Sequence, residues 1–296
     1  MDKKKEAKSL CLYLAFTFGI SWAMFFALIL SGGKLFDDAG NMSGTGSLVC
    51  TLGMLCPAIG MLLTRRVTKE GYALTGKDSV MLGISLKEGK IIFFIIALLL
   101  PWIINELSCM IKILLDSGCF SKDLGEAMTG DKRYPFVYPL MAIVSGAFIS
   151  IGGLGEELGW RGYMMPKLIN ITGKRKALLT GGIIWGIWHW PLTYMGHNFG
   201  TDYKGYPYLG FAAMCLLCVI SGTVLTFLTM KSGSIWPAAI FHAIGNASPT
   251  ILRFFIDESR ITGAMAKPFV SFLIYLIPYA FFALICFVIF LKSNKE

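Results

Sequence analysis

Apolar residues recur in long runs from one end of the chain to the other, and the lengths of these runs predict its elements. A helix that crosses the hydrocarbon core of a bilayer needs about 20 apolar residues, and eight segments meet this requirement approximately. They cover residues 10–30, 48–63, 91–115, 136–154, 178–195, 208–230, 235–253 and 269–291. No polar linker is long enough to separate a second domain. We therefore expect residues 1–296 to form one all-α transmembrane bundle of about eight helices.

Two segments depart from this regular pattern. The third span contains Asn105, Glu106 and Lys112, which makes it the least regular of the eight, and Pro101 is expected to kink it. Residues 162–170 are too few to cross a membrane. They predict a short helix at the membrane interface, with Lys167 on its wet side.

Composition and charge support a membrane protein and exclude a nucleic-acid partner. The chain is 55% hydrophobic and 15% charged, whereas soluble domains contain about 25% charged residues. Its net charge of +9 arises from basic residues in alternate loops, around 3–8, 65–90 and 161–176, as the positive-inside rule expects. The intervening loops, at Asp37-Asp38, 116–133 and 197–206, are mixed or acidic. With eight spans, both termini are predicted to be cytoplasmic, in what we expect to be a bacterial cell membrane.

Two adjacent glutamates follow the fourth apolar run. Charges at bilayer depth cost about 2.5–3.5 kcal/mol each on insertion scales, so they rarely lack a function. Glu157 and Arg161 are four residues apart, so on a helix they can form an ion pair. Glu156 points about 100° away from Glu157 and has no partner along its own helix. The alternative interpretation is that these charges mark the polar end of a membrane helix.

Further polar side chains interrupt two later spans. His189 lies in the fifth span, and His242 lies in the seventh with Asn246 one helical turn beyond it. Each histidine alone could be a hydrogen-bonded packing residue between helices. Together with Glu156 they would supply a base for water, an acid for the leaving group and donors for an oxyanion, which is the equipment for hydrolysis.

Two other groups of reactive side chains receive no role. His197 lies in an outer loop and is interpreted as incidental. Cys215 and Cys218 form a C-x-x-C sequence in the middle of a helix without companion ligands, which is typical of packing.

The order of these motifs carries a resemblance to a known family. The series Glu156-Glu157-x-x-x-Arg161, Trp185-x-x-x-His189 and His242-x-x-x-Asn246 resembles that of the CPBP family of intramembrane proteases. This family includes the type II CAAX prenyl endopeptidase and the bacterial Abi and bacteriocin-processing proteins. The resemblance covers residues 136–248 as a catalytic core, and its second motif usually begins with phenylalanine rather than Trp185.

The resemblance implies an endopeptidase and a role for each residue. Glu156 would activate water with His189 as its partner or proton carrier, and His242 and Asn246 would stabilise the oxyanion. Glu157 and Arg161 would be a supporting pair. The substrate would be a peptide or a lipidated membrane protein, cleaved near the cytoplasmic face. The residues leave open a zinc ion on Glu156, His189 and His242, a proton-coupled transporter and a non-catalytic immunity member of the same fold.

Overall fold

The computed structural model describes residues 3–37, 40–76, 79–84, 86–87 and 89–293, without the side chains of 147–151 and 268. Across these ranges the chain is helical and forms no β-strand, apart from the isolated bridges Phe36–Met42 and Phe120–Ile256. The all-α prediction is confirmed. Asp38 and Lys77, in two of the loops whose charges predict the orientation, lie outside the described residues.

Eleven α-helices follow one another in the described chain. They are α1 (Lys3–Leu30), α2 (Gly44–Thr68), α3 (Ile91–Leu115), α4 (Leu124–Thr129), α5 (Tyr134–Gly159), α6 (Met165–Thr172), α7 (Lys174–Trp188), α8 (Trp190–Tyr194), α9 (Tyr208–Ser232), α10 (Trp236–Ala247) and α11 (Pro268–Lys292).

Five of the described helices are long and apolar enough to cross a membrane, namely α1, α2, α3, α9 and α11. They agree closely with five of the predicted spans and make this an integral membrane protein. The third span is a single helix although it contains polar residues, two of which bind the chain that follows α10. Glu106 accepts hydrogen bonds from the backbone N–H groups of Ile251 and Leu252, and Lys112 forms an ion pair with Glu258 at 2.7 Å.

Two predicted spans are wrong as continuous helices. The segment 178–195 is divided, since α7 ends at Trp188 and the short helix α8 begins at Trp190. Pro191 lies in the first turn of α8 and has no N–H with which to continue the ladder of α7. The segment 235–253 is also shorter than predicted, because α10 ends at Ala247 and Ser248 adopts a left-handed conformation with φ 48°. Its 12 residues extend only about 18 Å.

Glycines allow the helices around the site to approach one another closely. A Cβ added at Gly159 of α5 would lie 2.5 Å from Pro57 of α2, and one added at Gly182 of α7 would lie 2.4 Å from the Cα of Val219 in α9. Small residues at such positions are what permits dense packing of helices in a bilayer, where apolar burial alone provides little drive for association. The site residues of α5 and α7 are therefore held against the long helices α2 and α9 by backbone proximity.

The segment after α5 also differs from its prediction. A π-helical turn, Trp160–Met164, joins α5 to α6, and turns of this type are frequent at functional sites. Lys167 of α6 is not on a wet side, because its residue is only 7% exposed. Its ammonium donates to Glu70 Oε2 at 3.1 Å and lies over the ring of Tyr163 at 4.5 Å, so a carboxylate and an aromatic face replace water.

Candidate active site

Glu157 lies at the centre of a buried ionic network. It is part of the last turn of α5 and is 0% exposed. Its Oε1 atom accepts from Arg161 Nη1 at 3.1 Å, which confirms the predicted i, i+4 ion pair. The same oxygen is 2.8 Å from His242 Nδ1, a contact that sequence reasoning missed. Glu157 therefore binds Arg161 of the π-turn and His242 of α10 through the same oxygen.

Glu156 is held from a different side. The residue is 3% exposed, and its Oε2 accepts a hydrogen bond of 2.9 Å from Trp185 Nε1 of α7. Glu156 was predicted to lack a partner along its own helix, and the partner that it has belongs to the neighbouring helix α7. Adjacent residues on a helix point about 100° apart. The two glutamates consequently face different neighbours, Trp185 on α7 and His242 on α10.

His189 occupies the end of α7, where the helix leaves carbonyl groups unpaired. Its backbone N–H bonds to the carbonyl of Gly186 at 3.1 Å, so the carbonyl of Trp185 is available to another donor. His189 Nδ1 lies 2.8 Å from this carbonyl oxygen. A carbonyl can only accept, so Nδ1 carries the proton and, in the neutral ring, Nε2 carries the lone pair. The break in the helix thus fixes the tautomer of the imidazole.

His242 is fixed by the same rule. Because a carboxylate only accepts, the contact with Glu157 places a proton on Nδ1 of His242 and leaves Nε2 for other partners. Asn246 follows one turn later on α10 and is exposed. Residues four apart share a helical face, so the amide and the imidazole lie on one side of α10.

A cavity of about 750 Å³ brings the predicted residues together. Glu156, His189, His242 and Asn246 all line it, whereas Arg161 and Glu157 are buried beneath its wall. Much of the remaining wall is apolar or aromatic. It includes Met54, Leu192, Met214, Leu217, Leu225, Phe241, Phe272, Tyr275 and Tyr279. The arrangement places one carboxylate, two imidazoles and one amide beside a largely apolar space.

The candidate ligands of a zinc ion, Glu156, His189 and His242, line this cavity. In the described part of the chain, no group of three or more His, Cys, Asp or Glu side chains is arranged to hold a metal ion. Nδ1 of each imidazole is bound to a protein acceptor, and Glu156 Oε2 is bound to an indole. The second ring nitrogen of a zinc-binding histidine is usually bound in this way too, so Nε2 of both rings and the other oxygen of Glu156 are the atoms that remain for water, substrate or a metal ion.

Several lining residues were missed or given no role by sequence reasoning. His197 is not incidental in position, because it lines the cavity and its ring is parallel to that of His189, with centroids 6.2 Å apart. Burial lowers the pKa of His197 to about 4, so this ring is neutral at pH 7. Cys218 lies 3.9 Å from His189 Nδ1 and remains a free thiol, as does Cys215. In the sequence, Trp185 was singled out only by its spacing of four residues from His189.

The long apolar helices define an integral membrane protein, and two comparisons indicate that it is a peptidase. Residues 138–248 match the family model described as type II CAAX prenyl endopeptidase Rce1-like. The chain is also 26% identical over 263 residues to the CAAX prenyl protease 2 of Methanococcus maripaludis, which covers 86% of this chain and 89% of the relative. Both matches are to peptidases, and they confirm the predicted resemblance to the type II CAAX prenyl endopeptidases.

Proposed function

We propose that this protein hydrolyses a peptide bond of a membrane-associated substrate near the cytoplasmic face of the membrane, using Glu156 to activate water. The observation that supports this most directly is the shared cavity of Glu156, His189, His242 and Asn246. Two matches to peptidases favour hydrolysis over the alternatives of a transporter and an immunity protein.

The proposed reaction begins with a water molecule beside Glu156. The carboxylate takes one proton from this water, and the resulting hydroxide attacks the carbonyl carbon of the substrate. His189 accepts a hydrogen bond from the same water at Nε2, because its Nδ1 proton is bound to the Trp185 carbonyl. The C–N bond then breaks, and protonated Glu156 returns its proton to the leaving amine. The balance of protons needs no other reactant.

His242 and Asn246 are assigned to the oxyanion that forms in the first step. The buried carboxylate of Glu157 stabilises an imidazolium form of His242, whose Nε2–H can donate to a negative oxygen. Asn246 contributes an amide donor that never titrates. Arg161 and an imidazolium His242 carry two positive charges, which match the two negative charges of Glu156 and Glu157 in the same network.

The substrate class follows from the lining and from the relative. The relative is named a CAAX prenyl protease, and the apolar and aromatic wall of this cavity suits a lipid attached to the peptide. We therefore favour a prenylated C-terminal peptide over a bacteriocin leader.

The test is cleavage of three quenched peptides by the purified protein in detergent or proteoliposomes: a farnesylated C-terminal peptide, its unprenylated twin and a leader-type peptide. We expect preference for the farnesylated form and loss of cleavage in Glu156→Ala, His189→Ala and His242→Ala, each still inserted in the membrane. Full activity of Glu156→Ala would refute the mechanism. Preference for the leader-type peptide would refute the substrate class.

A further inference from the structure

One aromatic residue contacts four ionisable groups of the proposed site. Trp185 is 6% exposed and lies on α7, one turn before His189. Its indole N–H donates to Glu156 Oε2 at 2.9 Å, and its carbonyl oxygen is 2.8 Å from His189 Nδ1. Its ring lies 4.0 Å from the guanidinium carbon of Arg161 and 5.7 Å, edge to face, from His242. No role in a reaction has been assigned to it so far.

The two polar contacts of Trp185 determine which atoms of Glu156 and His189 are already hydrogen-bonded and which remain available. The indole N–H occupies one oxygen of Glu156, so the second oxygen is the one available to accept a proton from water. The backbone carbonyl occupies Nδ1 of His189, so the lone pair of the ring is on Nε2. Trp185 makes both contacts, one through its indole and one through its backbone carbonyl. In each case the atom that remains available belongs to a side chain that lines the cavity.

We propose that Trp185 is a positioning residue that fixes the carboxylate of Glu156 through its indole N–H, and that tryptophan is used here for this donor rather than for its size. The inference rests on the proposed function, because it assigns Trp185 a role only through Glu156. Hydrogen bonds to a charged group are worth more than neutral ones, so this contact can hold one carboxylate orientation against thermal motion.

Packing alone does not account for the contact. Trp160 is a fully buried tryptophan in the adjoining π-turn, and its Nε1 atom has no hydrogen-bond partner among the described residues. The fold therefore tolerates a buried indole without a partner close to the site. Phenylalanine, with which this motif usually begins, would keep an aromatic face for Arg161 but could donate no hydrogen bond to Glu156, so the indole donor is a feature of this chain rather than of the motif.

The chain provides a matched control in Trp102 of α3. Its Nε1 donates to Glu106 Oε1, also at 2.9 Å, so the pair has the same chemistry and the same length as Trp185–Glu156. Glu106 binds the backbone of Ile251 and Leu252 rather than lining the cavity. Trp102→Phe therefore removes an equivalent indole–carboxylate hydrogen bond outside the proposed site.

The experiment compares Trp185→Phe, Trp102→Phe and Glu156→Gln in the full-length protein with the farnesylated peptide. We expect Trp185→Phe to lower kcat by about 10- to 100-fold while KM changes little, because the lost contact orients a reacting group and does not bind substrate. Trp102→Phe should retain the wild-type kcat. A kcat of Trp185→Phe equal to that of Trp102→Phe would overturn the inference.

Two further measurements keep the result interpretable. If Trp185→Phe has a lower Tm than Trp102→Phe, Trp185 is replaced by benzothienylalanine, which keeps the bicyclic ring and exchanges only the N–H for sulfur. The same loss of kcat supports the inference, and full activity overturns it. Glu156→Gln separates the two proposals. If it is inactive while Trp185→Phe has the wild-type kcat, only this inference fails, whereas activity in Glu156→Gln removes the proposed mechanism and the inference with it.

Discussion

The five long apolar helices and the three helices that carry the candidate site, α5, α7 and α10, satisfy their backbones and charges in different ways. The long helices have at least 24 residues each in their spanning segments. By contrast, α7 has 15 residues and α10 has 12. A helix that ends within a bundle leaves carbonyl groups unpaired, and such groups are tolerated at membrane depth only where protein or a cavity supplies partners. At the end of α7 the partner of the Trp185 carbonyl is the His189 imidazole.

The difference shows where this fold can place reactive groups. In the long helices nearly every side chain is apolar, so a charge there would face lipid or must bind a neighbouring loop, as Lys112 does with Glu258. In the site helices, charges are bound by other helices and line a cavity. The interruption after α7 places His189 at a helix end, and His189 lines the cavity together with Glu156 of α5 and His242 of α10.

The largest expected effect on stability is that of removing a buried charge from a site helix. Glu157→Gln leaves the Arg161 guanidinium buried without its carboxylate, and we expect the free energy of unfolding to fall by about 3–5 kcal/mol. Glu258→Gln removes the charge that pairs with Lys112. Because Glu258 is 71% exposed, the free energy of unfolding should fall by less than about 1 kcal/mol. Denaturant titration of both variants in one detergent measures the difference. Equal losses would show that site and long-helix charges are held alike.

The second prediction concerns the approach of the backbones. Gly182→Ala forces a Cβ against the backbone of Val219 and should cost about 1–3 kcal/mol by overpacking. Gly19 of α1 has no atom within 4 Å of an added Cβ, so Gly19→Ala should leave stability unchanged or raise it by up to about 1 kcal/mol. Thermal unfolding followed by tryptophan fluorescence compares them. A Gly182→Ala protein as stable as wild type would contradict the close packing of α7 on α9.

A smaller effect is expected from pH at the junction of α2 and α6, outside the spanning helices. Burial by itself raises the pKa of the Glu70 carboxyl, but hydrogen bonds from Ser9 and Lys167 and the charge of Lys167 outweigh it and lower the pKa. A depressed folded pKa stabilises the fold above the unfolded pKa, and this contribution is lost as the pH falls below about 5. We expect Tm to drop less steeply with acid in Glu70→Gln than in wild type. Parallel Tm curves would show that Glu70 contributes no pH dependence.

The smallest expected effect is that of a chelator. Because the reaction is assigned to protein groups alone, cleavage of the farnesylated peptide should continue at its full rate after treatment with 1,10-phenanthroline and removal of the reagent. The control is a known zinc peptidase treated in parallel, which must lose activity. Loss of cleavage that added zinc restores would overturn the proposed role of Glu156 as a direct base.

Sequence reasoning placed the long helices and α5 well but missed the ends of α7 and α10, for a physical reason. Hydropathy measures the cost of exposing residues to lipid, and in α1, α2, α3, α9 and α11 that cost alone decides the length of the helix. In 178–195 and 235–253 the apolar composition continues past the true helix ends at Trp188 and Ala247. There a proline and a left-handed serine end the hydrogen-bond ladder, although the composition stays apolar.

The sequence by itself determined the helical membrane fold, the set of polar residues in apolar spans and the Glu157–Arg161 pair, because these depend on composition and on spacing within one helix. Only the tertiary structure decided which glutamate meets which partner. Glu156 receives the indole of Trp185 and Glu157 receives His242, because these contacts join residues 29 and 85 positions apart. The Glu157–His242 distance depends on how closely α5 packs on α10, where a Cβ added at Gly153 would lie 3.2 Å from the Ala239 carbonyl oxygen, and spacing within a helix does not specify that arrangement.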